Sequence, residues 1–336
     1  DLQAALVKYR NIAETGGWIQ MPASLAGQRR RAKAYSELRT RLVVEGDLAQ
    51  DNGSPRMDDE LRDALIRFQR RNGLKEDGAV TAKVVDRLNV SVGERIATIS
   101  LNLERLRVSL RDQPKTRIDV NLPAATAVLF RDGEAVLEMN VVVGAPDHET
   151  PELSSAVDSI VLNPTWTIPQ SIIQNEIRPI LKKDKNYLKR NHMYWLKDQL
   201  VQEPGAFNAL GQIKFDFPNR YSVYLHDTPA RRLFTDPERA ASHGCVRLER
   251  PLDLAVALLE GDDRWDRDAL TKAIATGLTK RIVLRQTMPV VIGYQTAFAD
   301  ADGTAYFRPD IYGRDTKLTL ALAARADSLK SEPLQW

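Results

Sequence analysis

The sequence predicts an α+β protein, in which a helical first part is followed by a mainly β part with a helical insertion. Three observations predict this class. The length, 336 residues, suggests about two domains. Apolar residues recur at helical spacing up to about residue 111. From Arg117 onward they alternate or form short runs, as strands do.

Composition and charge narrow the possible partners. Hydrophobic residues make up 43% and charged residues 28%, which is ordinary for a soluble globular chain. The net charge of +3 is too weak to predict a nucleic-acid partner. The chain opens at Asp1 without a signal-peptide pattern. We therefore expect a processed product, with membrane anchoring possible only through a missing N-terminal segment.

A single cysteine, Cys245, excludes an intrachain disulfide and a cysteine-rich metal site. The four histidines are scattered along the chain and make a poor zinc set, so we expect no metal and no cofactor. A lone cysteine is either a buried small hydrophobe or a nucleophile, and its context has to decide between them.

The first elements are helical. Residues 57–72 predict an amphipathic helix with Asp58 as N-cap and Gly73 as its stop. Asp77 and Gly78 predict a turn, and Thr81 predicts the N-cap of a second helix. Residues 36–90 are thus expected to form a small helical domain, followed by a long connecting helix over 91–111.

The run FQRRNGLKEDGAVTAKVVDRLN resembles the small three-helix peptidoglycan-binding domains. The residues that match that family's pattern are Phe68, Gln69, Gly73, Leu74, Asp77, Gly78 and Thr81. Val80 stands where the family has a second glycine. The resemblance implies a wall-binding module, or one that persists as a spacer.

The β part begins with strands between Arg117 and Gly144. Further strands are predicted at 157–162, 221–226, 281–285 and 289–298, and helices at 169–200 and 251–260. The strand over 221–226 delivers His226 to its end.

Cys245 lies in the segment SHGCVRL, after that strand. A nucleophilic thiol needs a base, a third group that holds the base, and donors for the oxyanion. His226 is the candidate base, and the third group is either a backbone carbonyl or a hydroxyl. Gly244 allows a tight turn whose amides, with that of Cys245, are candidate oxyanion donors. Arg247 either supports the thiolate, orients the loop or is a surface charge.

The strand-terminal LHD and the SHGCVR segment together resemble the L,D-transpeptidase family with the YkuD-type catalytic domain. The matching residues are His226, Ser242, His243, Gly244, Cys245 and Arg247. The resemblance implies Cys245 as nucleophile, His226 as general base and a supporting role for His243 near the oxyanion site. Asp227 departs from the pattern, because short members have glycine there.

Further segments, including NPTWTIP (163–169) and YLHDTP (224–229), resemble the long Gram-negative branch of that family. The resemblance implies an N-terminal scaffold segment (1–35), the peptidoglycan-binding-like domain (36–90) and a scaffold helix (91–115). It further implies a catalytic domain (116–287) with a lid at about 169–203. A C-terminal strand and scaffold helix (288–336) follow. It also implies four substrate-binding residues, namely Trp166, Tyr224, Asp227 and Thr228. The lid aromatics Tyr187, Tyr194 and Trp195 either line the donor site or pack under the insertion.

The resemblance implies a periplasmic enzyme that forms 3→3 peptidoglycan cross-links from a tetrapeptide stem with release of D-Ala, and that carbapenem-type β-lactams acylate. Alternatives that use the same site are an L,D-carboxypeptidase, a D-amino acid exchange enzyme and a protein-anchoring enzyme. A non-catalytic wall-binding protein would not need both His226 and Cys245. A papain-like protease would place its cysteine before its histidine.

Overall fold

The computed structural model describes residues 1–26, 32–109 and 113–331. These fall into two compact units, one formed by 1–113 with 295–336 and the other by 114–294. Parts of the predicted scaffold segments, at 27–31, 110–112 and 332–336, lie outside the described residues. The predicted α+β class is confirmed, with a helical N-terminal region followed by a mainly β unit.

The first unit begins with five helices. They are α1 (Leu2–Glu14), α2 (Ala32–Glu45), α3 (Asp59–Arg71), α4 (Ala82–Leu88) and α5 (Val92–Ser109). Both predicted N-caps form, because the Asp58 carboxylate accepts the Leu61 N–H and the Thr81 hydroxyl accepts the Val84 N–H. Gly73 ends α3 at a φ of +63°, a conformation that glycine adopts without strain. Met21 and Leu25, from the predicted 1–35 segment, share the core of α2–α4.

The second unit is built on a nine-stranded sheet of order β10-β3-β11-β9-β8-β4-β12-β1-β2. Its first strands are β1 (Arg117–Asn121), β2 (Thr126–Arg131), β3 (Glu134–Gly144) and β4 (Leu153–Leu162). The later strands are β8 (Ile213–Asp216), β9 (Leu225–His226), β10 (Ala240–Ser242), β11 (Val246–Leu248) and β12 (Lys280–Gly293). Helices α9 (Pro251–Leu258) and α10 (Arg267–Ala275) lie between β11 and β12 in the chain.

The two faces of this sheet differ in character. Register places a row of apolar residues across the strands, all without exposed surface: Val246, Leu225, Phe215 and Ile160. Side chains alternate along a strand, so their neighbours point to the opposite face. The sheet therefore presents a polar row on that face, and this row holds the candidate site.

The lid differs from its predicted form. It opens with β5 (Trp166–Thr167) and a helical stretch of α6 (Gln170–Ile172), a π-helical turn (Ile173–Ile177) and α7 (Arg178–Lys183). After α8 (Tyr187–Arg190), a hairpin of β6 (Met193–Leu196) and β7 (Gln199–Gln202) replaces the helix predicted up to 200. The hairpin turns at Lys197, which has a φ of +54°.

Two strand predictions also need correction. Of the predicted strand 221–226, only Leu225 and His226 are β. The side chain of Asn219 accepts the Tyr221 and Val223 N–H groups, so a turn occupies the preceding residues. The two strands predicted at 281–285 and 289–298 are instead one strand, β12, which ends at Gly293.

The chain then returns to the first unit. The hairpin β13 (Ala297–Ala299) and β14 (Ala305–Phe307) precedes α11 (Arg314–Ser331). Both ends of the chain thus contribute to one core, in which Tyr9 packs edge-on against Phe307. Among the described residues, no helix is long and apolar enough to cross a membrane.

Candidate active site

Cys245 lies in the tight connection between β10 and β11. The buried Ser242 hydroxyl donates to the Cys245 carbonyl at 2.6 Å and accepts the Gly244 N–H at 3.2 Å. Gly244 has a φ of +106°, where a side chain would strain the backbone. Ser242 therefore shapes the turn that presents the thiol. Because the Gly244 amide already donates to Ser242, the Cys245 amide is the better placed of the two predicted oxyanion donors.

Strand register brings the predicted catalytic side chains to the polar face. On β11 and β9, Arg247 pairs with His226 and Val246 with Leu225. Cys245 lies two residues before Arg247, and Tyr224 two residues before His226. Alternation therefore places all four of Cys245, Arg247, Tyr224 and His226 on one face of adjacent strands.

His226 is held by a main-chain carbonyl. The ring is only 4% exposed, and its Nδ1 lies 2.5 Å from the Asp227 carbonyl oxygen. A carbonyl only accepts, so Nδ1 carries the proton in this bond, and the Leu210 carbonyl also accepts a hydrogen bond from the ring. Of the two kinds of third group that the sequence analysis left open, the structure has main-chain carbonyls, those of Asp227 and Leu210, at the His226 ring.

Electrostatics keep the two groups neutral at rest. Burial, and next the charge of Arg247, lowers the pKa of His226 to about 3. Burial also raises the pKa of Cys245, although hydrogen bonds from Tyr224 and the charges of Lys214 and Arg247 oppose it. These shifts favour a thiol and a neutral imidazole at neutral pH, because burial outweighs the charge of Arg247 at the thiol.

Tyr224 connects the thiol to the lid. Its hydroxyl hydrogen-bonds to Cys245 and accepts the indole N–H of Trp166, the first residue of β5. Burial, and next the nearby Cys245, raises the pKa of Tyr224, so the phenol stays protonated and remains a donor. Of the predicted substrate-binding residues, Tyr224 thus lies directly at Cys245, and Trp166 lies at Tyr224.

His243 faces the lid. Its Nε2 lies 2.7 Å from the Glu176 carboxylate in the π-helical turn, and its ring lies 5.0 Å from that of His148. With 39% of its side chain exposed, His243 is far more open to solvent than His226. It links the loop that carries Cys245 to the predicted lid.

The family model of the L,D-transpeptidase catalytic domain, YkuD, matches residues 115–292, more than half of the chain. The chain belongs to this L,D-transpeptidase family. The model described as "Putative peptidoglycan binding domain" matches residues 31–88. Both predicted resemblances are therefore confirmed.

Relatives of this L,D-transpeptidase family member are known. It is 32% identical over 243 residues to a Haemophilus influenzae protein named "Putative L,D-transpeptidase", and the match covers 66% of the chain. The chain spans about half, 49%, of that relative's length.

Two solved structures are also similar to the chain. One is an L,D-transpeptidase from Stackebrandtia nassauensis, with 14% identity, a TM-score of 0.30 and coverage of 80% of this chain and 93% of the other. The second is L,D-transpeptidase 3 from Mycobacterium tuberculosis with a faropenem-derived adduct, with 15% identity, a TM-score of 0.30 and coverage of 53% and 60%.

The remaining predicted site residues, Asp227 and Thr228, directly follow His226 in the chain. The Asp227 carboxylate accepts the Gln212 N–H at 2.9 Å and pairs with Arg231 at 3.4 Å. The buried Thr228 hydroxyl accepts the Ala230 N–H. Both residues line an open pocket of about 550 Å³ whose lining does not include Cys245. Their side chains bond to the loops on either side of His226, and substrate contact by them stays a prediction.

The predicted lid aromatics separate in the structure. Tyr187 is partly buried in the lid's own apolar cluster, whereas Tyr194 and Trp195 are 42% and 48% exposed on β6. Lining of the donor site by these three stays a prediction. Within the described part of the chain, no group of three or more His, Cys, Asp or Glu side chains could hold a metal ion.

Sequence reasoning missed two polar residues of the site, Lys214 and Asp216 on β8. On β8 they alternate with the buried residues Ile213 and Phe215. Four alternating residues are too few for the sequence pattern to predict a strand. Lys214 pairs in register with His226, which places it on the active-site face. Glu176 was also missed, because its role depends on where the lid folds.

Proposed function

We propose that this protein forms 3→3 peptidoglycan cross-links by acyl transfer through Cys245. The observation that carries the proposal is the constellation on one sheet face: a partly buried thiol, a buried neutral His226 and a backbone carbonyl that orients it. Such a nucleophile, base and orienting group are what covalent acyl transfer requires. Membership of the family supports the same reaction.

The donor is proposed to be a tetrapeptide stem ending in D-Ala. Nε2 of His226 takes the thiol proton as the sulfur attacks the carbonyl carbon of the third residue. Negative charge then develops on the carbonyl oxygen, and the Cys245 N–H and the Tyr224 hydroxyl are placed to donate to it. The imidazolium returns its proton to the departing D-Ala amine, leaving a thioester on Cys245.

The second half-reaction uses the same groups in reverse. A side-chain amine of another stem attacks the thioester carbon, and His226 takes one of its protons. Collapse of the tetrahedral intermediate expels the Cys245 sulfur, which is reprotonated, and a new amide joins the two stems. If water is the acceptor, the product is a tripeptide and the enzyme is a carboxypeptidase.

Location and inhibitors follow from this chemistry. The proposed substrate is outside the cytoplasmic membrane, so we place the protein in the periplasm. The domain that matches residues 31–88 is proposed to bind the wall. Carbapenem-type β-lactams present a strained carbonyl to the same thiol and are proposed to acylate it.

Product analysis tests the proposal. Purified protein is incubated with disaccharide-tetrapeptide that contains diaminopimelate, and the products are separated and identified by mass spectrometry. A cross-linked dimer with one D-Ala lost is the expected product, and Cys245→Ala is the control that should give none. A tripeptide alone would establish the carboxypeptidase, and an unchanged donor would contradict both activities.

A further inference from the structure

Lys214 and Asp216 form a charged pair beside the nucleophile. Lys214 Nζ lies 2.7 Å from Asp216 Oδ1, and each side chain is 22% exposed. The other Asp216 oxygen pairs with Arg281 on β12 at 3.1 Å. Both carboxylate oxygens are therefore occupied by cations of the protein. The ammonium of Lys214 carries three N–H donors, of which Asp216 accepts one.

Strand order places this pair next to the catalytic groups. Strands β11, β9 and β8 are consecutive in the sheet, and adjacent strands lie about 4.8 Å apart. Lys214 lies opposite His226 in register. Its ammonium is 4.1 Å from the ring centroid of Tyr224, whose hydroxyl hydrogen-bonds to the thiol. A cation is thus fixed about 10 Å from the strand of Cys245, across one intervening strand.

This position suits one part of the donor. The thiol attacks the carbonyl of the stem's third residue, and that residue's side chain leaves from the adjacent carbon. The far end of a long side chain therefore reaches groups one or two strands away from the sulfur. Diaminopimelate ends in a centre that carries a carboxylate, whereas lysine ends in an ammonium alone.

We propose that Lys214 is a specificity-determining residue that binds the side-chain carboxylate of the donor's third residue. Asp216, held by Arg281, fixes the ammonium over Tyr224 so that it faces the donor without a rearrangement. The inference rests on the proposed function. It assigns the selection of a carboxylate-bearing stem to a residue outside the catalytic motif.

The test compares donors that differ only at this carboxylate. Disaccharide-tetrapeptides carrying diaminopimelate, its side-chain carboxamide, or lysine as third residue are supplied in turn, and D-Ala release gives kcat/KM for each. The wild type should prefer the carboxylate donor to the carboxamide by roughly 10- to 100-fold, the usual range for a charge-assisted hydrogen bond. Lys214→Met should reduce that ratio to near one. A ratio is used because Lys214 also affects the thiol, and such an effect slows all donors equally.

Lys280→Met is the matched control, since Lys280 lies 4.5 Å over the ring of Trp265 in the same unit. It should leave the preference unchanged. Asp216→Asn should weaken the preference, because it releases Lys214, and it gives a second reading should Lys214→Met fold poorly. A wild type that does not distinguish carboxylate from carboxamide, or a Lys214→Met enzyme that keeps the ratio, would overturn the inference alone. Failure of the wild type to release D-Ala from any donor would overturn the proposed function, and the inference with it.

Discussion

At the scale of single residues, burial decides the resting state of the nucleophile. A papain-type cysteine next to a charged histidine has a thiol pKa of about 3–4 and rests as a thiolate. Here burial raises the pKa of Cys245 and lowers that of His226 to about 3. The proton must therefore move during the attack, when charge developing on sulfur and oxygen stabilises the imidazolium.

If Cys245 and His226 are both neutral at rest, the pH dependence of the alkylation rate of Cys245 by iodoacetamide can be predicted. The alkylation rate should rise steadily with pH and reach its plateau only above the ordinary thiol pKa of about 8.5. The measurement is the alkylation rate of the native protein from pH 5 to 10, with the unfolded protein as control. A plateau already present at pH 6 would show a standing thiolate and contradict the neutral pair.

His226 and His243 should differ in their effect on acylation. His226→Ala removes the proposed base and should slow acylation by a carbapenem about 10²- to 10⁴-fold. His243→Ala removes a half-exposed ion pair with Glu176 and should cost far less. Stopped-flow acylation rates of the two variants decide the point, and a larger loss in His243→Ala would reverse the assignment.

Among the secondary-structure elements, helix caps could be predicted from the sequence, but the main-chain carbonyl that bonds to His226 could not. Asp58 and Thr81 cap their helices within three residues, so sequence alone identifies them. The Asp227 carbonyl orients His226, but every residue carries a carbonyl, and no side chain marks this one. This hydrogen bond is therefore seen only in the folded structure.

The lid hairpin was missed for a physical reason. Strand prediction depends on alternating burial, and β6 is largely exposed, with Tyr194, Trp195 and Leu196 all open to solvent. The helical part of the lid was predictable, because Ile173 and Ile177 recur at helical spacing and are buried. Periodicity thus predicts the helical part of the lid but not its hairpin.

The Glu176–His243 pair predicts a modest effect of the lid on product choice. Glu176→Gln keeps the shape of the side chain but removes its charge, so the link at 2.7 Å weakens. Both groups are partly exposed, so the cost is at most about 1 kcal/mol, or about fivefold. The ratio of hydrolysed to cross-linked product should rise by up to that factor, because a looser lid admits water. Glu149→Gln, in the neighbouring loop, is the control, and an unchanged ratio in Glu176→Gln would exclude a lid role for the pair.

At the scale of the whole molecule, a buried ionic cluster joins both ends of the chain within the first unit. Fully buried Glu45 pairs with Arg41 at 2.7 Å and accepts the Tyr9 hydroxyl at 2.7 Å. Arg71 lies 3.7 Å from the same carboxylate and donates to the Ala305 carbonyl in β14. Helices α1, α2 and α3 and the returning hairpin are thus held around one carboxylate.

Glu45→Gln should destabilise this unit by about 3–5 kcal/mol, since it leaves buried Arg41 without its counter-ion, whereas Arg71 keeps the Asp47 carboxylate. Burial raises the pKa of Glu45, but Arg71 and Arg41 together lower it to about 2, against an ordinary 4.5. The stabilisation is therefore complete above pH 4.5 and is lost as the pH falls toward 2. Urea unfolding at pH 7 and pH 3 measures both effects, with half-exposed Glu60→Gln as control. Equal stability of Glu45→Gln and wild type at pH 7 would contradict this account.

If Cys245 carries the acyl group, intact-protein mass spectrometry will detect the acyl-enzyme. The protein is mixed with disaccharide-tetrapeptide, quenched in acid and weighed, and the adduct is then located by peptide mapping. We expect one adduct, equal in mass to the donor less D-Ala, on Cys245, and none on Cys245→Ala. Release of D-Ala and formation of cross-linked product by Cys245→Ala, or an adduct mapped to another residue, would contradict it.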